Sequence, residues 1–123
     1  MIEIKITIDS ALNLLLNRMK VELSFRQRCG EITKGLRLEN LSFNQLYSIA
    51  RSAVFDTAFM LPIDLMVQES NLNYIITATI KSLAKVFHRD EFSIFSTKQT
   101  EQLLEPIYRY YKEQLKTKNF ERN

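Results

Sequence analysis

Turn-forming residues are scarce in this chain of 123 residues, which holds only two glycines and two prolines. β-Sandwiches and disordered linkers both need many turn formers, so this scarcity argues against them. Apolar residues make up 46% of the chain, which is enough for one ordinary hydrophobic core. The composition therefore favours a single, mostly α-helical domain over residues 1–123.

Cysteine is almost absent as well, since Cys29 is the only one. One thiol excludes an internal disulfide and a cysteine-rich zinc site. The first residues carry charges at Glu3 and Lys5, unlike the apolar segment of a secretory leader. No run reaches the roughly 18 uncharged apolar residues of a membrane span. We therefore expect a cytoplasmic protein without a membrane partner.

Residues of the kind that carry catalysis are few. His88 is the only histidine, and its position at a predicted helix end favours a capping role over catalysis. Cys29 has no histidine near it in sequence, which favours a semi-buried structural thiol. Two isolated glycines cannot form a phosphate-binding loop, and the carboxylates show no metal-ligand spacing. We predict no catalytic residue, no metal and no cofactor, and hence no enzyme.

The first nine residues show the pattern of a β-strand. Isoleucine alternates with polar residues from Ile2 to Ile8, which is the period of a half-buried strand. A strand needs partners for its backbone groups, and residues 36–38 or 92–95 are candidates within the chain. If neither pairs with it, the strand is expected to add to a sheet edge of another protein.

The rest of the chain predicts a small bundle of about four helices. The first is capped by Asp9 or Ser10 and ends near Gly30; the second starts at Phe43 after a Ser42–Gln45 capping box. A short element at 63–67 follows Pro62. Ser70 is predicted to cap the third helix and Ser96 or Thr97 to start the fourth. We expect Pro106 to kink or split the fourth helix and residues 116–123 to be frayed.

Basic residues without acidic neighbours mark the outer face of the third helix. On a helical wheel Tyr74, Lys81 and Lys85 lie opposite the apolar positions, and no acidic residue shares their face. An exposed ring above unpaired lysines suits a nucleic-acid strand, because the ring can stack on bases while the cations follow phosphates. An ordinary solvated face explains the same pattern.

Two further groups extend this basic surface. Arg109 and Lys112 align on the outer side of the fourth helix, although Glu105 and Glu113 can neutralise part of that stripe. Arg28, Lys34 and Arg37 lie in or near the loop between Gly30 and Gly35. Together the predicted nucleic-acid-binding residues are Lys81, Lys85, Arg109, Lys112, Arg28, Lys34, Arg37 and Tyr74.

A mildly basic helical domain of this length without an active site resembles the small subunit of CRISPR effector complexes. The resemblance covers roughly residues 10–118 and rests on size, helix pattern and charge; the N-terminal strand departs from it. It implies a subunit that holds nucleic-acid backbone without reading sequence, in antiviral defence, next to other protein subunits and single-stranded DNA or RNA. Within it, Lys81, Lys85, Arg109 and Lys112 are the implied backbone contacts.

A protein-binding adaptor or inhibitor, such as one encoded by a mobile element, is the alternative interpretation. It would dock through the N-terminal strand or through the aromatic residues Phe25, Tyr110 and Phe120. The unpaired strand would also favour association between copies of the chain.

Overall fold

The computed structural model describes residues 2–59 and 69–121, and these residues form a mostly helical structure. Four α-helices and two short 3-10 turns, at Leu38–Asn40 and Asp90–Ile94, make up these ranges. The helices are α1 (Ile2–Arg28), α2 (Phe43–Phe59), α3 (Glu69–Phe87) and α4 (Thr97–Glu121). The predicted mostly helical fold with about four helices is confirmed for these residues.

The predicted N-terminal strand is not confirmed, because helix α1 already begins at Ile2. No β-strand occurs at 2–59 or 69–121, so neither 36–38 nor 92–95 offers a strand to pair with. A helix satisfies its backbone groups within one segment and needs no such partner. The predicted cap at Asp9 or Ser10 is wrong for the same reason, since both residues lie inside α1.

Helix α1 ends where the sequence predicts, near Gly30. The N–H of Glu31 donates to the carbonyl of Arg26 at 2.9 Å, and the N–H of Gly30 donates to that of Gln27 at 3.2 Å. These two bonds form a Schellman motif, whose C′ position needs left-handed backbone. Gly30 supplies it with a φ of 79°.

Helices α1 and α2 run antiparallel, and the guanidinium of Arg26, called the Arg26 fork below, joins them. Arg26 binds Glu22 at 2.9 Å within α1 and reaches the hydroxyls of Ser48 at 2.7 Å and Ser52 at 3.0 Å on α2. Its side chain is only 17% exposed, so these bonds lie in a partly desolvated setting where they count for more. Farther along, Arg18 pairs with Asp56 at 2.9 Å.

Capping boxes start α2 and α4. The hydroxyl of Ser42 accepts the N–H of Gln45 at 3.2 Å, and the Gln45 side chain accepts the N–H of Ser42 at 3.3 Å. Ser96 and Gln99 make the same reciprocal bonds before α4. Both predicted starts are confirmed, with Ser96 as the cap of α4.

Helix α3 packs its apolar face into the centre of the bundle. Leu72, Ile75, Ile76 and Leu83 are buried there, as the periodicity predicts. The helix begins at Glu69, so the predicted cap Ser70 lies inside it. The core as a whole is built from all four helices and both 3-10 turns.

Two predicted elements differ from the structure. Residues 90–94 form a 3-10 turn instead of a strand at 92–95; the turn buries Phe92 against Phe43, with ring centroids 5.1 Å apart. Pro106 lies inside the continuous helix α4, so of the two predicted effects, a kink or a split, the split is wrong. The helix loses one backbone hydrogen bond at Pro106, which is tolerable because Pro106 is exposed and water can reach the freed carbonyl.

Some predictions fall at the edges of the described chain. The boundary at Pro62 and the short element at 63–67 lie outside the described residues. Helix α4 continues to Glu121, beyond the position where the sequence predicts fraying.

Candidate nucleic-acid interface

The outer face of α3 carries the clearest cluster of predicted site residues. Tyr74 is 57% exposed, Lys85 is exposed in the last turn of the helix, and Lys81 is exposed one turn before it. Neither lysine forms a salt bridge with any residue of the described ranges. Two like charges four residues apart repel each other slightly, so this pair does not stabilise α3.

The basic residues of α4 interact with other side chains of the protein more than those of α3 do. The Arg109 guanidinium forms a salt bridge with Glu105, as the sequence spacing predicts. Lys112 is exposed but takes part in an interaction of its own. These two residues therefore offer less uncompensated positive charge than Lys81 and Lys85 do.

A seam of buried polar side chains joins α3 to α4. The hydroxyls of Thr77 and Thr100 lie 2.6 Å apart, and the Tyr108 hydroxyl donates to the Asn73 side-chain oxygen. Thr77, Thr100 and Asn73 are at most 7% exposed. The pairing order, 77 with 100 and 73 with 108, makes the two helices antiparallel.

The seam also fixes how the basic residues of the two helices are arranged. Lys81 lies one helical turn beyond Thr77, and Lys112 lies one turn beyond Tyr108 in the opposite direction. With a rise of 1.5 Å per residue, these lysines lie roughly 18 to 24 Å apart along the helix axes, depending on which of the two pairs sets the register. The structure thus places the α3 and α4 groups at the two ends of one seam, with Tyr74 between them.

An open groove of about 350 Å³ runs along α4 at this seam. The residues that line it are Glu101, Glu105, Tyr108, Arg109 and Lys112. Glu101 accepts a long hydrogen bond of 3.5 Å from the Asn73 amide. Along α4 the carboxylates of Glu101 and Glu105 therefore lie toward one end of the groove, and the basic side chains of Arg109 and Lys112 lie toward the other.

The third predicted group, Arg28, Lys34 and Arg37, lies at the end of the bundle where α1 and α3 finish. All three side chains are exposed and form no salt bridge within the described ranges. The Arg89 guanidinium donates to the Leu41 carbonyl at 2.7 Å, which ties the end of α3 to this loop region. The group therefore lies closer to Lys85 than to Lys112. Cations here also complement the negative helix C-termini.

Sequence reasoning did not find the polar seam or the groove beside it. Asn73, Thr77, Thr100 and Tyr108 lie on faces that read as apolar, and only the pairing of α3 with α4 shows that their polar atoms meet. Their spacing of four to eight residues within each helix was the signal that could have indicated a shared face.

The two residues weighed for catalysis lie apart from this groove. Cys29 is exposed at the end of α1, so the prediction of a semi-buried thiol is wrong. His88 directly follows α3, as predicted, with a left-handed φ of 53°. Among the described residues no three histidine, cysteine, aspartate or glutamate side chains are placed to hold a metal ion.

None of the helices within the described ranges has the length and apolar character needed to cross a membrane. Compared with known proteins, the chain matches no family model, no curated sequence and no solved structure.

Proposed function

We propose that this protein is a non-catalytic small helical subunit of a nucleoprotein assembly. It holds the backbone of a single nucleic-acid strand without reading its sequence, as the small subunits of CRISPR effector complexes do. One observation carries the proposal: Lys81 and Lys85 are exposed side by side and form no salt bridge with a described residue.

The physical basis is the release of counterions. Each phosphate that a lysine neutralises frees a condensed cation, and binding weakens as salt rises because that release becomes less favourable. Lys81, Lys85 and the loop group Arg28, Lys34 and Arg37 supply up to five such contacts at one end of the bundle. Arg109 and Lys112 extend the surface along the groove.

Fluorescence anisotropy with a labelled mixed-sequence single strand tests the proposal, at roughly 50 and 200 mM salt and with a duplex for comparison. We expect binding at low salt that falls steeply at the higher salt, and stronger binding of the single strand. The double variant Lys81→Glu and Lys85→Glu should lose most of the affinity. Absent or salt-independent binding would contradict the proposal.

A matched control separates the site from total charge. Lys20→Glu with Arg51→Glu makes the same change in net charge at two exposed positions on α1 and α2. It should weaken binding far less than the Lys81 and Lys85 double variant does. Equal losses would show that only overall charge attracts the strand.

A protein-binding adaptor is the second candidate function, and a different surface favours it. Val21 and Phe25 lie one turn apart on α1 and are 50% and 52% exposed. Of the other aromatic residues weighed for docking, Tyr110 is 50% exposed and takes part in an interaction, and the Phe120 side chain lies outside the described set. The adaptor hypothesis therefore depends mainly on the Val21–Phe25 pair.

Pull-down after nuclease treatment distinguishes the two functions. An adaptor should keep a specific protein partner without nucleic acid, and Val21→Ser with Phe25→Ser should abolish its capture. Capture that depends on Lys81 and Lys85 and is lost on nuclease treatment would support the nucleic-acid function instead.

A further inference from the structure

Helix α1 carries a stripe of apolar and basic residues along one side. Leu14, Arg18, Val21, Phe25 and Arg28 follow one another at intervals of four, three, four and three residues, and we call them the α1 stripe. Val21 and Phe25 are 50% and 52% exposed, and Leu14 is partly buried. At a rise of 1.5 Å per residue the stripe is about 21 Å long.

The stripe is separate from the core and from the α3 lysines. The core side of α1 is formed by other residues, which are at most 7% exposed: Leu15, Met19 and Leu23. Arg18, within the stripe, pairs with Asp56, so the stripe borders α2. Lys81 and Lys85 lie on α3. A partner on the stripe therefore leaves these two lysines open to a nucleic-acid strand.

The spacing of the stripe suits a helical partner. Contact positions in a coiled coil alternate by three and four residues, as the members of the stripe do. An amphipathic helix laid along α1 would bury Val21 and Phe25 together, and phenylalanine is enriched at the centre of protein interfaces. A nucleic-acid strand gains less here, because the aliphatic side chains of Leu14 and Val21 cannot stack on bases.

Charge defines the chemistry of that partner. Residues 14–28 include one acidic side chain, Glu22, and Arg26 already binds it at 2.9 Å. Arg18 is paired with Asp56, whereas Arg28 is exposed and forms no salt bridge within the described ranges. The stripe therefore ends on an uncompensated positive charge, which a carboxylate of the partner complements.

A second copy of the chain lacks this complementarity. Two stripes packed antiparallel about Val21 would bring Arg28 level with the partner's Leu14, and two parallel stripes would bring both Arg28 side chains together. In either arrangement no free carboxylate of the stripe meets Arg28. Charge thus favours an acidic partner over a second copy.

We propose that the α1 stripe docks an acidic amphipathic helix of a neighbouring protein subunit. Apolar residues of that helix pack on Leu14, Val21 and Phe25, and one of its carboxylates pairs with Arg28. The inference rests on the proposed function only in identifying this protein as a neighbouring subunit. Of the five residues, Arg28 alone also belongs to the basic loop group.

Two synthetic peptides of about 21 residues, or three heptads, provide the probes. Both have leucine at the a and d positions, and one has glutamate and the other lysine at e and g. Like charges at e and g prevent each peptide from pairing with itself. In fluorescence anisotropy with the full chain, we expect the glutamate peptide to bind at least about tenfold more tightly than the lysine peptide.

Variants locate the bound peptide. Val21→Ser with Phe25→Ser should weaken binding of the glutamate peptide at least about tenfold, because the apolar anchors are gone. Val86→Ser with Ile94→Ser is the matched control, at positions 41% and 81% exposed outside the stripe, and should leave the affinity unchanged. Far-UV circular dichroism checks that both variants keep their helices.

Two further variants separate docking from general attraction between opposite charges. Arg28→Gln should weaken binding of the glutamate peptide by about threefold, the effect of one exposed ion pair. Lys81→Gln with Lys85→Gln should bind it as the wild type does, because these lysines lie on α3. Loss of peptide binding in this second variant would show that the peptide occupies the strand surface and would overturn the proposal.

Three other outcomes would also overturn it: no binding of either peptide, equal binding of both, or glutamate-peptide binding that survives the Val21 and Phe25 changes. Sedimentation velocity adds a fourth, a wild-type dimer that Val21→Ser with Phe25→Ser makes monomeric, since the occupant is then a second copy. Stripe-dependent peptide binding without salt-sensitive strand binding overturns the backbone-holding function and leaves the docking surface in place. Strand binding without peptide binding does the reverse.

Discussion

Two residues take left-handed backbone at the C-termini of neighbouring helices, and they do so with different side chains. Gly30 follows α1 with a φ of 79°, and His88 follows α3 with a φ of 53°. At both ends a backbone N–H closes on the carbonyl five residues earlier, from Glu31 to Arg26 and from Arg89 to Ala84. At the end of α1 the residue is glycine, which adopts left-handed backbone readily. At the end of α3 it is histidine, whose Cβ makes the same conformation less favourable.

Gly30→Ala should lower the free energy of unfolding by about 1 kcal/mol, because an alanine Cβ crowds the backbone at positive φ. No atom lies within 4 Å of the position of the added Cβ, so the backbone conformation is the whole cost. Urea denaturation of the variant and the wild type checks this. Gly35→Ala, at a φ of 89° and with equally open surroundings, is the comparison for a loop glycine outside a Schellman motif.

His88→Gly should have the opposite sign and raise the free energy of unfolding by up to about 1 kcal/mol. The imidazole is exposed and makes no hydrogen bond within the described ranges, so little is lost with it. The midpoint of thermal or urea denaturation provides the readout. A destabilised variant would mean that the side chain, and not the backbone turn, stabilises this helix end.

At the scale of helices, the interfaces of the bundle differ in character. Helices α1, α2 and α3 meet mainly through aliphatic side chains, with the Arg26 fork at the edge. Helix α4 adds Leu104 and Ile107 to the core but also closes the polar seam with α3. Satisfied polar pairs of this kind fix the register of two helices, since any shift leaves buried donors without acceptors.

Thr77→Val alone should cost about 1–2 kcal/mol of unfolding free energy, because the buried Thr100 hydroxyl loses a partner. The double variant Thr77→Val and Thr100→Val should recover part of that loss, since both polar atoms are then gone. A double-mutant cycle in urea measures the coupling. Strict additivity of the two single changes would show that the two hydroxyls do not interact.

The helices were predictable from local signals, and the other elements were not. The Ser–Gln spacing predicted the starts of α2 and α4, and Gly30 predicted the end of α1. The apolar periodicity predicted the buried face of α3. The alternating isoleucines from Ile2 to Ile8 pointed to a strand because pattern alone cannot show whether a partner strand exists. Phe92 and Phe95 favoured a strand for a similar reason. Aromatic residues are common in strands, but here they are buried against the core by a 3-10 turn and the residue after it.

Within the site, the exposure of Tyr74, Lys81 and Lys85 was readable from the helical wheel. Their relation to Arg109 and Lys112 was not, because it depends on the antiparallel register of α3 and α4. That register is set by pairs distant in sequence, such as Asn73 with Tyr108. Arg18 depends on the tertiary fold in the same way, since its partner Asp56 lies 38 residues away on α2.

At the scale of the whole molecule, positive charge is distributed unevenly. Six of the residues from Arg18 to Arg37 are basic and two are acidic, whereas none from Ser52 to Ile80 is basic. The fold brings the loop part of the first stretch to the end of the bundle where Lys85 lies. The basic residues of this loop and Lys85 therefore lie at the same end of the bundle, where they can act together on an anionic polymer.

The salt dependence of single-strand affinity in a neutral variant tests the central claim most directly. Lys81→Gln with Lys85→Gln removes two phosphate contacts without adding repulsion. On a plot of log affinity against log salt, the slope should become shallower by about 1.4, or roughly 0.7 for each lost contact to a single strand. An unchanged slope would show that neither lysine meets a phosphate and would contradict the account.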